Sequence, residues 1–241
     1  MKLLFKIDKD YLIYYSINNT SPDRYSSLIY KDDIINLQNY AWDLSKETND
    51  LLRGLALPNT LNISNKDTSI SDFFNNIKNS NEFRIVYKQT LDSLEDCKKE
   101  WQSNLEKSKG IMNEMTGLEF NKEMTVYITH PSLKNGKYNN NIIEWSHNSE
   151  QDWPNYSTVY LWHEILHSYF DYSEYSHSII QLVTDNELRV KLNGGNYPPF
   201  EGHKELFPLM NELLQKWIEY LSGSQRDIID FWKKNRNKFD S

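Results

Sequence analysis

Val159-Tyr160-Leu161-Trp162-His163-Glu164-Ile165-Leu166-His167-Ser168-Tyr169-Phe170 is the stretch on which the reading of this chain turns. An α-helix places residues four apart on one face, so His163 and His167 present two imidazoles side by side. Neutral imidazole nitrogens bind zinc well, and Glu164, one step from the first histidine, can reach water at such an ion without being a ligand. Glu164 is therefore a candidate general base. Apolar and aromatic residues surround these three side chains, which predicts a largely buried helix. Buried imidazoles and a buried carboxylate need partners, and a metal ion is an economical one. The plainer alternative is a hydrogen-bonded cluster that holds no metal.

A catalytic zinc site needs a third protein ligand and one open position. Downstream, apolar residues at 179, 180, 182, 183, 188, 190 and 192 suit a buried second helix over 178–192, with Gly194-Gly195 as its stop. The polar segment around Asp171-Tyr172-Ser173-Glu174 turns the chain between the two helices. Glu187, on the second helix, is the leading candidate for the third ligand. Asp171, Glu174, His177 and Asp185 are the alternatives, the first three falling in or near the turn.

Nineteen residues separate His167 from Glu187, and Asn186 precedes the glutamate. Together with the His163 to His167 motif, this spacing resembles the thermolysin type of gluzincin metallopeptidase over roughly residues 120 to 195. The resemblance implies a mainly helical α+β, zincin-like domain with a small β-sheet. It also implies one zinc ion per chain, held by His163, His167 and Glu187, and peptide-bond hydrolysis with Glu164 activating water. Two departures are specific. Lys191 stands where the family has an aspartate supporting a zinc histidine, leaving Asp185 as a substitute, and the Gly-x-Met-Glu-Asn segment of the aminopeptidase branch is absent. The metzincin pattern is excluded by Phe170 and Ser173.

Glu123 to His130 alternates apolar residues as a strand does, and Asn141 to Ser146 reads as a second strand joined to it through Pro131 to Asn140. By the resemblance, residues 142 to 146 are nominated as the edge that takes an extended substrate by strand addition. Peptide hydrolysis also needs a donor for the oxyanion. Tyr172, Tyr197, His203, His130 and His147 are candidates, none singled out as catalytic.

The N-terminal Tyr11-Leu12-Ile13-Tyr14-Tyr15 reads as part of a β-hairpin, and residues 34–56 and 69–113 read as helices. The latter includes a helix of about 30 residues striped by Tyr87, Leu91, Leu94, Trp101 and Leu105. A polar break at Asn59 to Lys66 divides an N-terminal hairpin and helical region, 1–66, from a catalytic domain, 67–241. Two amphipathic helices, 204–221 and 224–238, close the chain.

With 241 residues, 38% of them hydrophobic and 14% aromatic, the chain can fill a substantial core. A net charge of −7 disfavours nucleic acid as a partner, because phosphate binding needs a positive surface. No run is long enough to span a membrane. The single cysteine, Cys97, fits a reducing compartment, and Lys6 and Asp8 interrupt any signal-like N-terminus, so a cytoplasmic location is expected. The partner is then a peptide or protein substrate, with the oligomeric state open. Two other readings stay in play: a catalytically inactive zincin scaffold that binds or regulates, and an interaction module built on the helices at 69–113.

Overall fold

Asp8 decides the conformation of the N-terminal apolar run. Its carboxylate accepts a hydrogen bond from the Tyr11 backbone N–H at 2.9 Å and so caps a helix, α1 (Lys9–Asn18), after a short strand, β1 (Lys2–Lys6). Leu12, Ile13, Ser16 and Ile17 then fall on one buried face. The expected hairpin through Tyr11 to Tyr15 is thus a helix. Its aromatic and β-branched residues favour a strand locally, but the cap and the burial of one helical face outweigh that preference.

The computed structural model describes residues 1–19, 30–53, 68–133, 136–146 and 153–236. The elements after α1 are α2 (Lys31–Leu44), α3 (Lys46–Arg53), α4 (Thr68–Asn79), α5 (Asn81–Thr116), β2 (Glu123–Ile128), β3 (Gly136–Asn139) and β4 (Ile142–Trp145). They are followed by α6 (Tyr156–Leu166), α7 (Glu174–Gln181), a π-helical segment (Leu182–Leu188) and α8 (Arg189–Asn193). A single 3-10 turn (Lys204–Leu206), α9 (Phe207–Ser222) and α10 (Ile228–Arg236) complete the chain. The fold is α+β, mainly helical with a small sheet. No helix among the described residues is long and apolar enough to cross a membrane. The expected subdomain break at Asn59 to Lys66, and with it the 66/67 boundary, lies outside the described residues, as does His147.

Two compact units share the chain: Leu3–Lys98 with Thr125–Asp152, and Met1–Lys2 with Lys99–Met124 and Trp153–Ser241. In the first, α1 to α4 and the beginning of α5 enclose a core of Leu12, Ile17, Leu37, Phe73, Phe74 and Val86. Ser80 separates α4 from α5. Its hydroxyl accepts from the Phe83 N–H at 3.0 Å, so residues 69–113 form two helices, the second of 36 residues. On α5 the expected stripe is buried at Leu94 and Trp101, whereas Leu91 is exposed.

The sheet has the order β1-β2-β4-β3 and is mixed, with β2 parallel to β4 and β3 antiparallel to it. Thr125 pairs with Ile142 and Ile128 with Trp145. Asn140 and Asn141, both at positive φ, make the tight β3–β4 turn, a geometry that asparagine tolerates. The two strands expected from the sequence are parallel neighbours, and the hairpin partner of β4 is β3, a short strand too polar to stand out. This corrects the nominated substrate edge. β4 is paired on both sides, so its backbone groups are already used and strand addition at 142–146 has no free edge.

His130 follows β2 in the first unit and is fully buried. The Ser132 N–H donates to its Nδ1 at 3.2 Å, so its Nε2 carries the proton and donates to the Gln89 side-chain oxygen at 2.9 Å. Burial holds this satisfied neutral imidazole down at a pKa of about 3, against an ordinary 6.5. The unfolded chain takes up a proton below pH 6.5 and the folded one does not. Stability supplied by His130 is therefore complete above pH 6.5 and falls as pH drops toward 3, by about 1.4 kcal/mol per pH unit. Urea denaturation of wild type and His130→Gln at pH 7 and pH 5 checks this. The gap between the two should narrow by about 2 kcal/mol at the lower pH, and an unchanged gap would remove His130 from the acid response.

Candidate metal centre

In the second unit, α6 is fixed at both of its sides before any functional group is considered. Its N-terminus follows Asn155 in the left-handed region, and the cap comes from another helix. The Glu100 carboxylate of α5 accepts from the Thr158 N–H at 2.6 Å and from the Thr158 hydroxyl at 2.9 Å, placing negative charge at the positive end of the helix dipole. Farther along, the Trp162 ring packs on Trp101 and Phe120 at 5.3 and 4.8 Å, and its indole N–H donates to Ser108 at 2.8 Å. This anchored face turns the next residues, His163 and Glu164, into a buried environment.

His167 is the C-cap of α6, and the chain then reverses within seven residues. Asp171 organises the reversal. Its Oδ1 accepts from the Ser173 N–H, the Ser173 hydroxyl and the Ser176 hydroxyl, and its Oδ2 pairs with Arg236 of α10 at 2.7 Å. Those hydrogen bonds hold its carboxyl down at a pKa of about 2 in spite of partial burial. Ser173 caps α7, which therefore starts at Glu174 instead of residue 178. His177 is thereby carried on a helix, one turn in.

The outcome is a group of three imidazoles: His163, His167 and His177 have ligating nitrogens that all lie within 4.8 Å of one another. The Nε2 atoms of His163 and His177 are 3.0 Å apart. Tetrahedral coordination at ordinary zinc–nitrogen bond lengths separates two ligand nitrogens by about 3.3 Å. His167 Nδ1 is buried with no hydrogen-bond partner among the described residues. The donor set is thus the right type and spacing for a metal ion, and one of its three residues carries an orphaned ring nitrogen.

Asp185, on the π-helical segment, stands behind His163. Its Oδ1 lies 3.0 Å from His163 Nδ1 and accepts from the Thr184 hydroxyl at 2.9 Å. A proton on Nδ1 is held by that carboxylate, which leaves the Nε2 lone pair directed at the cluster. Burial alone lowers the basicity of His163, but the Asp185 charge and hydrogen bond, with a smaller push from Glu164, raise it overall. Burial instead drives His167 and His177 down to about 3, helped by the neighbouring histidines, so both are neutral in ordinary buffers. Neutral imidazole is the form that binds metal. A π-helical turn inside a helix is a common device for aiming a functional side chain, and here it carries Asp185.

Glu187 is elsewhere. Its carboxylate accepts from the Tyr197 hydroxyl and pairs with Lys191 at 3.4 Å, while Tyr197 in turn accepts from the Trp217 indole at 3.0 Å. Helical residues two apart do not share a face, so turning Asp185 toward His163 turns Glu187 away. Of the expected ligands, His163 and His167 are brought together, the third place beside them is taken by His177, and Glu187 lies outside the group. The signal for His177 was local: Ser173 ahead of Glu174 is a helix start, and four residues on it puts His177 on a helix instead of in a turn.

The loop after α8 closes against the same segment. Asn186 donates to the Glu201 carbonyl and accepts from the Glu201 N–H, and the His203 N–H donates to the Gln181 side-chain oxygen at 3.2 Å. Gly202, at φ +109°, passes so close that a Cβ there would sit 2.8 Å from Asp185 Oδ2. This places the His203 ring 4.9 Å from that of His177. Of the other oxyanion candidates, Tyr172 stacks on His167, Tyr197 is committed to Glu187, and His130 is buried in the first unit.

The chain matches no known protein family, no curated protein and no solved structure.

Proposed function

We propose that this chain is a zinc-dependent peptidase with one ion per chain, held by His163, His167 and His177, and with Glu164 as general base. The observation that carries the reading is the convergence of three imidazoles, two of them kept neutral by burial and the third braced by Asp185, beside a carboxylate that is itself 6% exposed. Histidine nitrogen in a buried, tetrahedral-sized group suits zinc. When bound, such an ion supplies Lewis acidity, making water a stronger acid and a carbonyl a better electrophile.

The protein's own groups account for the remainder. Asp185 fixes the tautomer and plane of His163. Glu164 takes the proton from water as its oxygen attacks the carbonyl carbon, and then delivers that proton to the departing amine. The burial of Glu164 and its neighbours excludes bulk water from the transfer. This ligand set differs from the thermolysin type, in which Glu187 would ligate, so the likeness to gluzincins is confined to the helix carrying His163, Glu164 and His167. A cytoplasmic setting suits Cys97, the single cysteine, which is buried and forms no disulfide.

A second reading is favoured by one contact. A proton shared between the Nε2 atoms of His163 and His177, 3.0 Å apart, satisfies both rings without an ion, which fits a catalytically inactive binding or regulatory scaffold. One experiment separates the two. Protein stripped with a chelator and reconstituted with zinc is incubated with an unstructured peptide mixture, and new termini are sought by mass spectrometry. Cleavage that depends on restored zinc is expected, and no cleavage at any sequence, whether or not zinc is taken up, would establish the inactive scaffold.

A further inference from the structure

Each of the three clustered imidazoles carries one further ring. Tyr160 lies on His163 at 5.9 Å, Tyr172 on His167 at 6.2 Å with the planes 18° apart, and His203 on His177 at 4.9 Å. These outer rings are not equivalent. Tyr160 is half-buried and continues into Tyr156 and Trp153, whereas Tyr172 is 74% exposed and the His203 side chain 53% exposed. The solvent side of the cluster is therefore bordered by Tyr172 and His203.

Tyr172 is also the most exposed of the large hydrophobic side chains among the described residues, and the residues on both sides of it are tied down. Asp171 before it is tied to Ser173, Ser176 and Arg236, and Ser173 after it caps α7. Arg236 in turn stacks on Trp232, whose indole donates to Ser176. A backbone fixed on both sides presents one face of the ring to His167 and leaves the other to solvent. Fixing a large, rigid ring in water beside a candidate reacting centre provides contact area for a ligand at little entropic cost.

The charges nearby choose the ligand. Glu174, two residues on, is exposed, and Glu205 lies 3.3 Å from His203 with 71% of its side chain exposed. Arg236 is engaged with Asp171 and Trp232 and Lys122 lies over Tyr169, while the exposed Lys204 stands beside Glu205, which leaves Glu174 as the carboxylate next to the Tyr172 face. An open tyrosine face with an exposed carboxylate two residues along the chain is complementary to an aliphatic cation.

We infer that Tyr172 is the substrate platform of the histidine cluster and that the peptide side chain it takes is basic, a lysine or an arginine close to the cleaved bond. The inference rests on the proposed function in treating the cluster as the reacting centre. The ring face holds the charged group, Glu174 adds its carboxylate, and His203 borders the opposite side.

Binding is measured separately from turnover. Alanine-rich peptides carrying arginine, lysine, norleucine or glutamate at one position are titrated by fluorescence anisotropy against zinc-reconstituted Glu164→Gln protein, and the same peptides are offered to wild type for cleavage. The arginine and lysine peptides should bind about three- to fivefold more tightly than the norleucine peptide. Tyr172→Ala should abolish that difference, Tyr172→Phe should keep it, and Glu174→Gln should reduce it. Because the ring is exposed, the thermal midpoint should not move. A preference for norleucine or glutamate, or the same basic preference in Tyr172→Ala, overturns the inference. Tyr172-dependent basic binding with no cleavage by wild type would uphold Tyr172 as the site for a basic side chain while sinking the hydrolytic reading. Cleavage indifferent to Tyr172 would do the reverse.

Discussion

Glu164→Gln is expected to keep its zinc and its fold and to lose turnover by about two to four orders of magnitude, the range supplied by a positioned acid–base group. The amide has nearly the same volume as the carboxylate, so the packing around a residue that is 6% exposed is preserved. What disappears is the group that takes a proton from water and returns it to the amine. Metal retention follows from the geometry around His163. Its brace is Asp185, whose Oδ1 lies 3.0 Å from Nδ1, and the substitution at Glu164 leaves that contact in place. The check is kcat for a cleaved peptide beside elemental analysis of the same preparation. Wild-type turnover in the variant would assign the proton transfer to another group, and loss of zinc together with turnover would make Glu164 a structural support.

The sequence carries the fold where the pattern is local and long. The 36-residue α5, the buried α6 and the two closing helices all follow from apolar periodicity. Strand β2 was equally plain, because its alternation matches a buried, intermediate pattern. What was hidden depends on partners far away in sequence. The parallel pairing of β2 with β4 cannot be read from either strand, and β3 is four residues of mixed polarity. For α1, a single capping carboxylate outweighed a run of strand-favouring side chains.

The site divides in the same way. His163, Glu164 and His167 sit on one helix, so their spacing alone brings them together. The third position turns on which face of a later helix looks back at α6. That is fixed by the Asp171 network, the π-helical turn and the seat of Asp185, none of which leaves a periodic trace. Spacing to Glu187 therefore pointed along the chain to a residue that is turned toward Tyr197.

The same geometry makes metal content the sharpest discriminator of the ligand set. His177→Ala should bind zinc more weakly by well over about 100-fold, because losing a ligand costs more than losing an outer hydrogen-bond partner, itself worth about 10- to 100-fold. Glu187→Ala should retain about one zinc per chain. Glu187 does hold Tyr197 and Lys191, so its removal is expected to lower the thermal midpoint, and a poorly folded variant would lose metal for a trivial reason. Glu187→Gln guards against this, since the amide oxygen still accepts from Tyr197 while the charge that a ligand would supply is gone. Zinc measured by elemental analysis on untagged protein, at matched thermal midpoints, then gives an unambiguous pattern. Depletion in His177→Ala with retention in both Glu187 variants establishes the three-histidine site. Depletion in Glu187→Gln with retention in His177→Ala would restore the thermolysin-type ligand set and require the helix carrying Asp185 and Glu187 to rotate when the ion binds.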